Sequence, residues 1–333
     1  MKRTVLVLGA GAWGTALAIA TARDGHDVLL WGRNDRHIQR LQHERSNQRY
    51  LPGVSFPDNL RPVASLDDLS AGIDDIVIAV PCAGLSDAVT AVKDRFDLNH
   101  TGICLACKGL AAENGRLNHE MVNSIAGEIP VAVFSGPSFA GELAAGLPTA
   151  VTIASTDSDY ASRLQQLFHS ETLRIYTHDD VIGVEIGGAI KNVMAIAAGI
   201  ADGLGFGANT RTAVITRGLA EIMRLGVALG GRAETFMGLA GLGDLVLTCT
   251  DDQSRNRRLG LALGRGETLE QASAAIGQVI EGARTAATAL SLAEKHGIVM
   301  PITEQVVAVI EGKCTPREAV QALLAREPKA ETE

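Results

Sequence analysis

Apolar residues in the first half of the chain form short continuous runs that are separated by stretches of helical length. Continuous rather than alternating apolar runs are typical of parallel strands that are buried on both faces. Strands spaced by helix-length segments indicate βαβ units and a doubly wound sheet. We therefore predict strands at residues 4–9, 27–31, 75–80, 103–107, 131–135 and 150–155, with 172–176 as a candidate seventh.

The pattern changes after about residue 180, where long segments rich in Ala, Leu and Gly show helical periodicity. Gly, Asn or Pro punctuates these segments, as at the ends of helices. The chain is therefore predicted to be of the α/β class, with a Rossmann-type doubly wound parallel sheet followed by an all-α C-terminal domain. The predicted domains are residues 1–180 and residues 181–333.

Residues 4–22, TVLVLGAGAWGTALAIATA, carry no charge and follow Lys2 and Arg3. Their length suits a membrane span, and a basic start before an apolar run also suits a signal peptide. However, Gly9, Gly11 and Gly14 form a G-x-G-x-x-G pattern between a predicted strand and a predicted helix. In a dinucleotide-binding loop these glycines allow the turn, the approach of the pyrophosphate and close helix–strand packing. We therefore interpret the stretch as a cofactor loop.

The end of the second predicted strand bears on the choice of cofactor. NAD-selective sheets usually place an acidic residue there, bonded to the ribose 2′-hydroxyl. This chain has Arg33 at that point, and a guanidinium suits the 2′-phosphate of NADPH. Asp35, two residues further on, leaves NADH binding open. We expect NADPH as a cofactor, with NADH as the alternative.

Charge and cysteine content narrow the class of protein. The net charge of −8 argues against a nucleic-acid partner, because affinity for a phosphate backbone needs a basic surface. The five cysteines are odd in number and scattered, which disfavours a disulfide framework and favours the reducing cytoplasm. Cys104 and Cys107 form C-x-x-C inside a predicted strand and would face opposite sides, so we expect no redox role and no metal site.

Two polar segments follow predicted strands, and ligands of doubly wound sheets bind outside the carboxyl ends of the strands. Lys108 follows the strand at 103–107, where a solvated lysine is the alternative. Gly136, Pro137 and Ser138 follow the strand at 131–135. Pro suits the first position of a helix, so we expect a helix to begin at Pro137.

Lys191 lies in a predicted helix whose same face carries Gly187, Gly188, Ala195 and Ala198. The alternative is a lysine that extends its ammonium group to water. The small neighbours instead predict room for a nicotinamide ring and a small substrate. Desolvation lowers the pKa of a lysine, which would then exchange protons near neutral pH.

A glycine-rich run leads to Asp244, and Ser254-Arg255-Asn256 begins another predicted helix. A serine cap, free N–H groups and a forked guanidinium together describe a phosphate site. A solvated basic helix start is the alternative.

Several segments together resemble bacterial NAD(P)-dependent glycerol-3-phosphate dehydrogenases: GAGAWGTALA, KGL, GPSFAGE, GGAIKNVMAIAAGIADG, GFGANTRTAVITRGLAE, GLAGLGDLVLTC, SRNRRLG and MPITEQV. The resemblance covers nearly the whole chain. It implies reversible hydride transfer between NADPH or NADH and dihydroxyacetone phosphate/glycerol 3-phosphate, which supplies the glycerol backbone of phospholipids.

The resemblance also implies roles for individual residues. Lys191 would exchange the proton. The implied substrate contacts are Lys108, Gly136, Ser138, Lys191, Asp244, Ser254, Arg255 and Asn256. The expected cofactor contacts, including the glycines of the loop, are Gly9, Gly11, Ala12, Trp13, Gly14, Arg33, Lys108, Ala140, Arg255, Val279 and Glu281.

Two other functions fit parts of the sequence. A β-hydroxyacid dehydrogenase also joins a Rossmann domain to a helical domain with a Lys-Asn pair, but it recognises a carboxylate rather than a phosphate. A non-catalytic NADP-binding sensor would bind cofactor without turnover. We expect a small phosphorylated substrate and no membrane insertion; a homodimer is compatible with the sequence, which does not determine the oligomeric state.

Overall fold

A computed structural model describes residues 2–67, 69, 72–110, 116–328 and 330. The strands are β1 Thr4–Leu8, β2 Asp27–Trp31, β3 Ser46–Asn47, β4 Leu51–Ser55, β5 Leu60–Val63, β6 Asp75–Ile78, β7 Ile103–Leu105, β8 Val131–Ser135, β9 Thr149–Ala154 and β10 Leu173–His178. The helices of the first half are α1 Ala12–Arg23, α2 Asp35–Glu44, α3 Leu85–Lys93, α4 Leu98–Thr101, α5 Asn118–Ala126, α6 Ala140–Ala145 and α7 Ser158–Phe168. The second half contains α8 Val181–Gly203, α9 Ala208–Ala228, α10 Asp244–Thr250, α11 Arg255–Gly264, α12 Leu269–Ile276, α13 Glu281–Lys295, α14 Pro301–Ile310 and α15 Pro316–Leu324.

The strands predicted from the apolar runs are confirmed as members of one eight-stranded sheet, ordered β10-β9-β8-β7-β6-β1-β2-β5. Strand β1 lies inside the sheet and pairs in parallel with both β2 and β6. Val5, Leu6, Val7 and Leu8 on β1 are fully buried, because helices cover both faces of the sheet. The uncharged stretch at residues 4–22 is therefore a central strand and a helix, as the cofactor-loop interpretation requires.

The direction of two strands differs from the predicted all-parallel sheet. β8 pairs with β9 antiparallel, so β9 and β10, which are parallel to each other, run against the rest of the sheet. The connection from β8 to β9 contains only α6, whose six residues span about 9 Å. That helix is shorter than a strand of about 17 Å, and the 13-residue connection is near the minimum for a crossover, so the short connection is consistent with the chain re-entering the sheet from the same end.

Three strands were not predicted. β5 forms the edge of the sheet beside β2, and its sequence LRPV contains a proline, which is tolerated at an edge because it donates no ladder hydrogen bond. β3 and β4 form a separate two-stranded antiparallel pair. These segments are short and polar, so their pattern does not differ from that of a loop.

In the second half, α8 is surrounded by other helices and by the sheet, and 19 of its 23 residues are buried. α11 crosses α8 with direct contact between their backbones. A Cβ atom on Gly260 would lie 2.1 Å from the carbonyl oxygen of Ile196, and one on Gly199 would lie 2.2 Å from that of Arg257. Glycine at these positions therefore sets the spacing of the two helices.

Helix α8 is also the one helix, within the residues that the structure describes, long and apolar enough to span a membrane by length and composition. Of its most apolar window, 89% is buried inside the protein, as in the core helix of a soluble protein.

Candidate active site

The loop between β1 and α1 has the geometry expected of a dinucleotide-binding turn. Gly9 has φ +120°, and a Cβ atom there would lie 2.7 Å from the carbonyl carbon of Ala79. A Cβ atom on Gly14 would lie 2.0 Å from the carbonyl oxygen of Gly9, whereas one on Gly11 would have no atom within 4 Å among those described. No side chain caps α1 at Gly11, so the first N–H groups of the helix are left for a ligand. This open cradle fits a pyrophosphate.

Trp13, in the first turn of α1, connects the glycine loop to the lysines described below. Its ring packs edge-on against Phe134 at 5.9 Å between centroids. The Nζ atom of Lys108 lies 5.8 Å from the centroid of the Trp13 ring. The buried Nε1 atom of Trp13 has no hydrogen-bond partner among the described residues.

Asp244 lies at the centre of the site and binds two lysines. Its Oδ2 atom accepts a hydrogen bond from Lys108 Nζ at 2.7 Å, and its Oδ1 atom accepts one from Lys191 Nζ at 2.8 Å. Burial alone would raise the pKa of Asp244, but the two lysines outweigh burial, and the pKa lies below its ordinary value. Burial lowers the pKa of Lys108 to about 8, with Lys191 adding to the effect and Asp244 opposing it. A carboxylate thus stays ionised between two lysines that come from opposite halves of the chain.

The sheet side of this cluster is the segment after β8. The Nζ atom of Lys108 donates to the carbonyl oxygen of Gly136 at 2.7 Å, and Ser138 Oγ donates to the same oxygen at 3.0 Å. The predicted helix start at Pro137 is wrong, since α6 begins at Ala140. Gly136 has φ +143° and turns the chain away from β8, so residues 137–139 remain a loop beside Lys108.

The helical side contains a residue that the sequence did not predict. Lys191 Nζ donates to Thr248 Oγ1 at 2.7 Å, and Thr248 Oγ1 donates to the carbonyl oxygen of Asp244 at 2.6 Å. A π-helical turn at residues 239–243 leads directly into α10 and places Asp244 at its first position. The spacing of Asp244 and Thr248, one helical turn, is the signal that could have identified Thr248.

The expected space for ligands beside the glycines of α8 is not present. A Cβ atom on Gly187 would lie 2.6 Å from the carbonyl oxygen of Ala240, and one on Gly188 would lie 2.4 Å from Ser135 Oγ. The small residues admit the protein's own backbone and the end of β8 rather than a nicotinamide ring or substrate. This part of the prediction is wrong, although Lys191 is buried as expected, with 9% of its side chain exposed.

A chain of amide groups connects α11 to the lysines. Asn256 Nδ2 donates to Asn192 Oδ1 at 2.8 Å, and Asn256 Oδ1 accepts from the N–H of Gly282 at 2.9 Å. Asn192 Nδ2 in turn donates to the carbonyl oxygen of Lys108 at 3.4 Å. Ser254 caps α11 as predicted, since its Oγ atom accepts from the N–H of Arg257 at 3.2 Å.

Arg255 reaches toward the start of α13. Its Nη1 atom donates to the carbonyl oxygen of Val279 at 2.8 Å, and Val279 itself is 43% exposed. Burial lowers the pKa of Arg255, and Glu281 opposes that effect. Glu281 is the first residue of α13, and its Oε2 atom would lie 3.3 Å from a Cβ atom on Gly109. The start of α13 therefore closes the site beside the segment that follows β7.

Glu185 anchors the segment that carries Lys108. The Glu185 carboxylate accepts hydrogen bonds from the backbone N–H of Asn118 and from His119 Nδ1, the latter at 2.7 Å. Asn118 Nδ2 donates to the carbonyl oxygen of Gly109 at 2.8 Å. Burial alone would lower the pKa of His119. The hydrogen bond to Glu185 and the charge of that carboxylate outweigh burial, so the pKa of His119 is raised.

The structure thus brings most of the predicted site residues to one place. Arg33 is apart from the lysines, exposed just beyond the end of β2. The carbonyl oxygen of Trp31 accepts from the N–H of Gly9 at 2.8 Å, so this end of β2 flanks the glycine loop. A cavity of about 1140 Å³ between α8, α9, α14 and α15 contains none of the predicted residues.

The comparisons with known proteins agree with this geometry. Residues 4–161 match the model of the NAD-dependent glycerol-3-phosphate dehydrogenase N-terminus, and residues 180–321 match that of the C-terminus. The chain is 51% identical over 329 residues to a glycerol-3-phosphate dehydrogenase [NAD(P)+] of Pseudoalteromonas translucida, covering 98% of both chains. It is 52% identical over 333 residues to the enzyme of that name from Serratia proteamaculans, covering 99% of this chain and 98% of that protein.

A solved structure gives the same result. The crystal structure of glycerol-3-phosphate dehydrogenase from Coxiella burnetii superimposes with a TM-score of 0.95 at 48% identity, covering 98% of this chain and 99% of that one. Both halves of the chain and their order therefore match one family. The chain belongs to the NAD-dependent glycerol-3-phosphate dehydrogenase family.

Proposed function

We propose that the chain catalyses reversible hydride transfer between NADPH or NADH and the C2 atom of dihydroxyacetone phosphate/glycerol 3-phosphate. The observation that carries this proposal is the Asp244 carboxylate bonded to both Lys108 and Lys191, beside the capped start of α11. Residues 1–180 would hold the cofactor, and residues 181–333 would supply the proton and bind the phosphate.

The nicotinamide cofactor supplies or accepts the hydride at C2 when it is bound. The open cradle at Gly11 and the uncapped start of α1 suit its pyrophosphate. Arg33, at the end of β2, suits a 2′-phosphate. The residues proposed to hold the cofactor are Gly9, Gly11, Ala12, Trp13, Gly14, Arg33, Lys108, Ala140, Arg255, Val279 and Glu281.

Lys191 is proposed to move the proton. When the carbonyl is reduced, its ammonium group donates a proton to the oxygen on C2, and in the reverse direction the amine takes that proton back. Hydrogen bonds to Asp244 and Thr248 hold the Nζ atom of Lys191 in one orientation. The positive charge of Lys191 also stabilises the negative charge that develops on the oxygen.

The phosphate of the substrate is proposed to bind at the start of α11. Arg255 offers a forked guanidinium, and the N–H groups of the first turn favour an anion. Asn256 is held by Asn192, the residue next to Lys191, so the phosphate site and the proton donor have a fixed relation. The proposed substrate contacts are Lys108, Gly136, Ser138, Lys191, Asp244, Ser254, Arg255 and Asn256.

The proposed setting of the enzyme is the cytoplasm, where glycerol 3-phosphate supplies the backbone of phospholipids. Five free cysteines support a reducing compartment. We propose no membrane insertion, since the one helix of sufficient length within the described residues is largely buried. A homodimer is compatible with the sequence, and light scattering on the purified protein tests it.

Steady-state reduction of dihydroxyacetone phosphate with NADPH and then with NADH tests the proposed function. We expect turnover with dihydroxyacetone phosphate and none with β-hydroxyacids. Turnover of a β-hydroxyacid instead would assign the chain to a different dehydrogenase reaction. Binding of NADPH without turnover of either substrate class would make the chain a cofactor-binding protein rather than an enzyme.

A further inference from the structure

The end of β3 is hydrogen-bonded to the glycine loop and to α1, which lie 32 or more residues earlier in the sequence. Asn47 is fully buried, and its Nδ2 atom donates to the carbonyl oxygen of Ala10 at 3.1 Å and to Thr15 Oγ1 at 2.8 Å. Because a carbonyl oxygen only accepts, this contact fixes which end of the Asn47 amide faces the loop. The end of β3, from which the turn to β4 follows, therefore lies against the glycine loop.

His37, in the first turn of α2, contacts the same backbone carbonyl group, that of Ala10. Its Nε2 atom lies 3.3 Å from the carbonyl oxygen of Ala10, so this nitrogen carries the hydrogen. Burial lowers the pKa of His37, which keeps the imidazole neutral. The ring meets Tyr50 edge-on, with 5.3 Å between the centroids. Tyr50 is thereby held in position by a rigid neutral neighbour.

Arg49 lies on Tyr50, with its guanidinium carbon 5.0 Å from the centroid of the ring. The Arg49 side chain is exposed, so stacking rather than burial orients it. Arg33 lies two residues before the start of α2, and His37, whose ring contacts Tyr50, lies in the first turn of that helix. Asp35 and Glu44 are the acidic residues of α2, and neither forms an ion pair with Arg49 in the described part of the chain.

We propose that Arg49 is a second specificity-determining residue for the cofactor, which binds the 2′-phosphate of NADPH together with Arg33. The proposal rests on the proposed function in that it requires a dinucleotide in the glycine loop. In Rossmann-type domains the ribose of the adenosine binds at the end of the second strand. Arg33 follows that strand directly, and Arg49 stacks on Tyr50, which contacts His37 in the first turn of the next helix.

This arrangement suits a phosphate dianion better than one arginine does. Two guanidinium groups on different elements contact different oxygens and neutralise more of the charge. The stack on Tyr50 orients Arg49 before binding, which reduces the entropy lost when the phosphate binds. NADH has a hydroxyl group at the same position and gains little from either arginine.

The test compares the variant Arg49→Ala with the control Arg174→Ala. Arg174 also lies over a tyrosine, Tyr176, at 5.7 Å, but on β10 at the far edge of the sheet. The control therefore removes the same charge and the same kind of stack. We expect Arg49→Ala to lower kcat/KM for NADPH about tenfold or more and to change that for NADH little. Arg174→Ala should change neither.

A binding measurement on the free protein makes the test independent of turnover. Adenosine 2′,5′-bisphosphate and AMP differ only in the 2′-phosphate, and calorimetry gives the affinity of each. We expect Arg49→Ala to weaken binding of the bisphosphate about tenfold or more and to leave AMP unchanged. Equal losses for both ligands, or no loss for either, would overturn the role of Arg49.

The two proposals can fail separately. Selective loss of bisphosphate affinity in a protein without activity on dihydroxyacetone phosphate would support the role of Arg49 and contradict the proposed reaction. If Arg49→Ala kept full activity on dihydroxyacetone phosphate and used NADPH and NADH in an unchanged ratio, the proposed reaction would be supported and the role of Arg49 contradicted.

Discussion

The two lysines on Asp244 lie in different surroundings, although each donates to one oxygen of the same carboxylate. Lys108 comes from the end of a strand, lies over Trp13 and also binds a backbone carbonyl, with 15% of its side chain exposed. Lys191 comes from the middle of α8, and its other partner is the hydroxyl group of Thr248. The first lysine connects Trp13, beside the glycine loop, to the segment after β8, whereas the second is enclosed by helices.

We interpret this difference as a separation of two proposed roles, held together because both lysines bind the same carboxylate. A lysine between a ring, a carbonyl and a carboxylate is suited to hold a negative charge in place. A lysine enclosed by one carboxylate and one hydroxyl is suited to deliver a proton from a fixed position. The predictions that follow test the two lysines, the carboxylate that joins them and the phosphate site proposed beside them.

The largest effect is expected for Lys191. Replacing Lys191 by Ala removes the proposed proton donor, so kcat should fall by about 10²–10⁴ while binding of NADPH is retained. Steady-state kinetics and a cofactor titration measure the two quantities. Lys191→Arg keeps the positive charge beside Asp244 but does not release a proton near neutral pH, so it should be impaired as well. Activity within a few-fold of the unmodified enzyme would assign the proton to another group.

Asp244 should matter for stability as well as for catalysis. Asp244→Asn leaves two lysines without their counter-charge, and breaking such a buried pair costs about 3–5 kcal/mol in the free energy of unfolding. Asp202→Asn is a matched control, because Asp202 binds Arg257 and Arg211 away from the lysines. Urea unfolding should detect a loss in both variants, but only Asp244→Asn should also lose most of its kcat. A variant Asp244→Asn that is as active as the control would contradict the central role of this carboxylate.

Arg255 tests whether the helical half binds the phosphate. Arg255→Ala should cost about 2–5 kcal/mol in kcat/KM for dihydroxyacetone phosphate, the range for truncating one partner of a buried charge pair. Unphosphorylated dihydroxyacetone, a poor substrate, should lose much less. Because Arg255 is also a proposed cofactor contact, NADPH affinity is measured in parallel. Equal losses on both substrates with intact NADPH binding would remove Arg255 from the phosphate site.

The smallest effect concerns the pH at which Lys108 loses its charge. Its pKa of about 8 means that the ammonium is lost above that pH, so KM for dihydroxyacetone phosphate should rise there. Lys108→Arg stays charged, and the rise should move to higher pH. An unchanged profile in Lys108→Arg would show that another group controls KM.

The lowered pKa of Lys108 also predicts how stability depends on pH. Above pH 8 substrate binding should weaken, whereas the contribution of Lys108 to stability should increase. Between pH 8 and the ordinary value of 10.5, the unfolded chain binds more protons at Lys108 than the folded protein does. The contribution of Lys108 to the free energy of unfolding therefore increases with pH across this window. Lys108→Arg should lose that increase in urea unfolding.

Much of the fold follows from the pattern of apolar runs. β1, β2, β6, β7 and β8 are buried on both faces, so their runs are continuous and identify them. The reversal at β9 depends on how far α6 carries the chain, which periodicity does not contain. β5 was missed because an edge strand with a proline has the pattern of a loop.

The site was predictable where a feature depends only on residues that are close together in the sequence. The glycine loop, Lys108 after β7 and the cap at Ser254 all follow from local rules about turns and strand ends. The position of Asp244 between Lys108 and Lys191 depends on contacts across 136 and 53 residues, and so it needed the structure. The glycines beside Lys191 show where prediction from sequence ends. Small residues indicate that other atoms approach closely, but they do not indicate whether those atoms belong to a ligand or to the protein.

The contact between the backbones of α8 and α11 has a consequence for the choice of substrate. Because Gly199 and Gly260 bring the two backbones into contact, no side chain lies between the helices at these positions whose size a substitution could reduce or increase. The spacing of α8, which carries Lys191, from α11 is therefore set by their backbones, and under the proposed roles it would set the separation of the reacting carbon from the phosphate. On that proposal, repacking side chains between the two helices would not make room for a substrate with one more carbon. Changing the accepted chain length would require α11 to move as a whole.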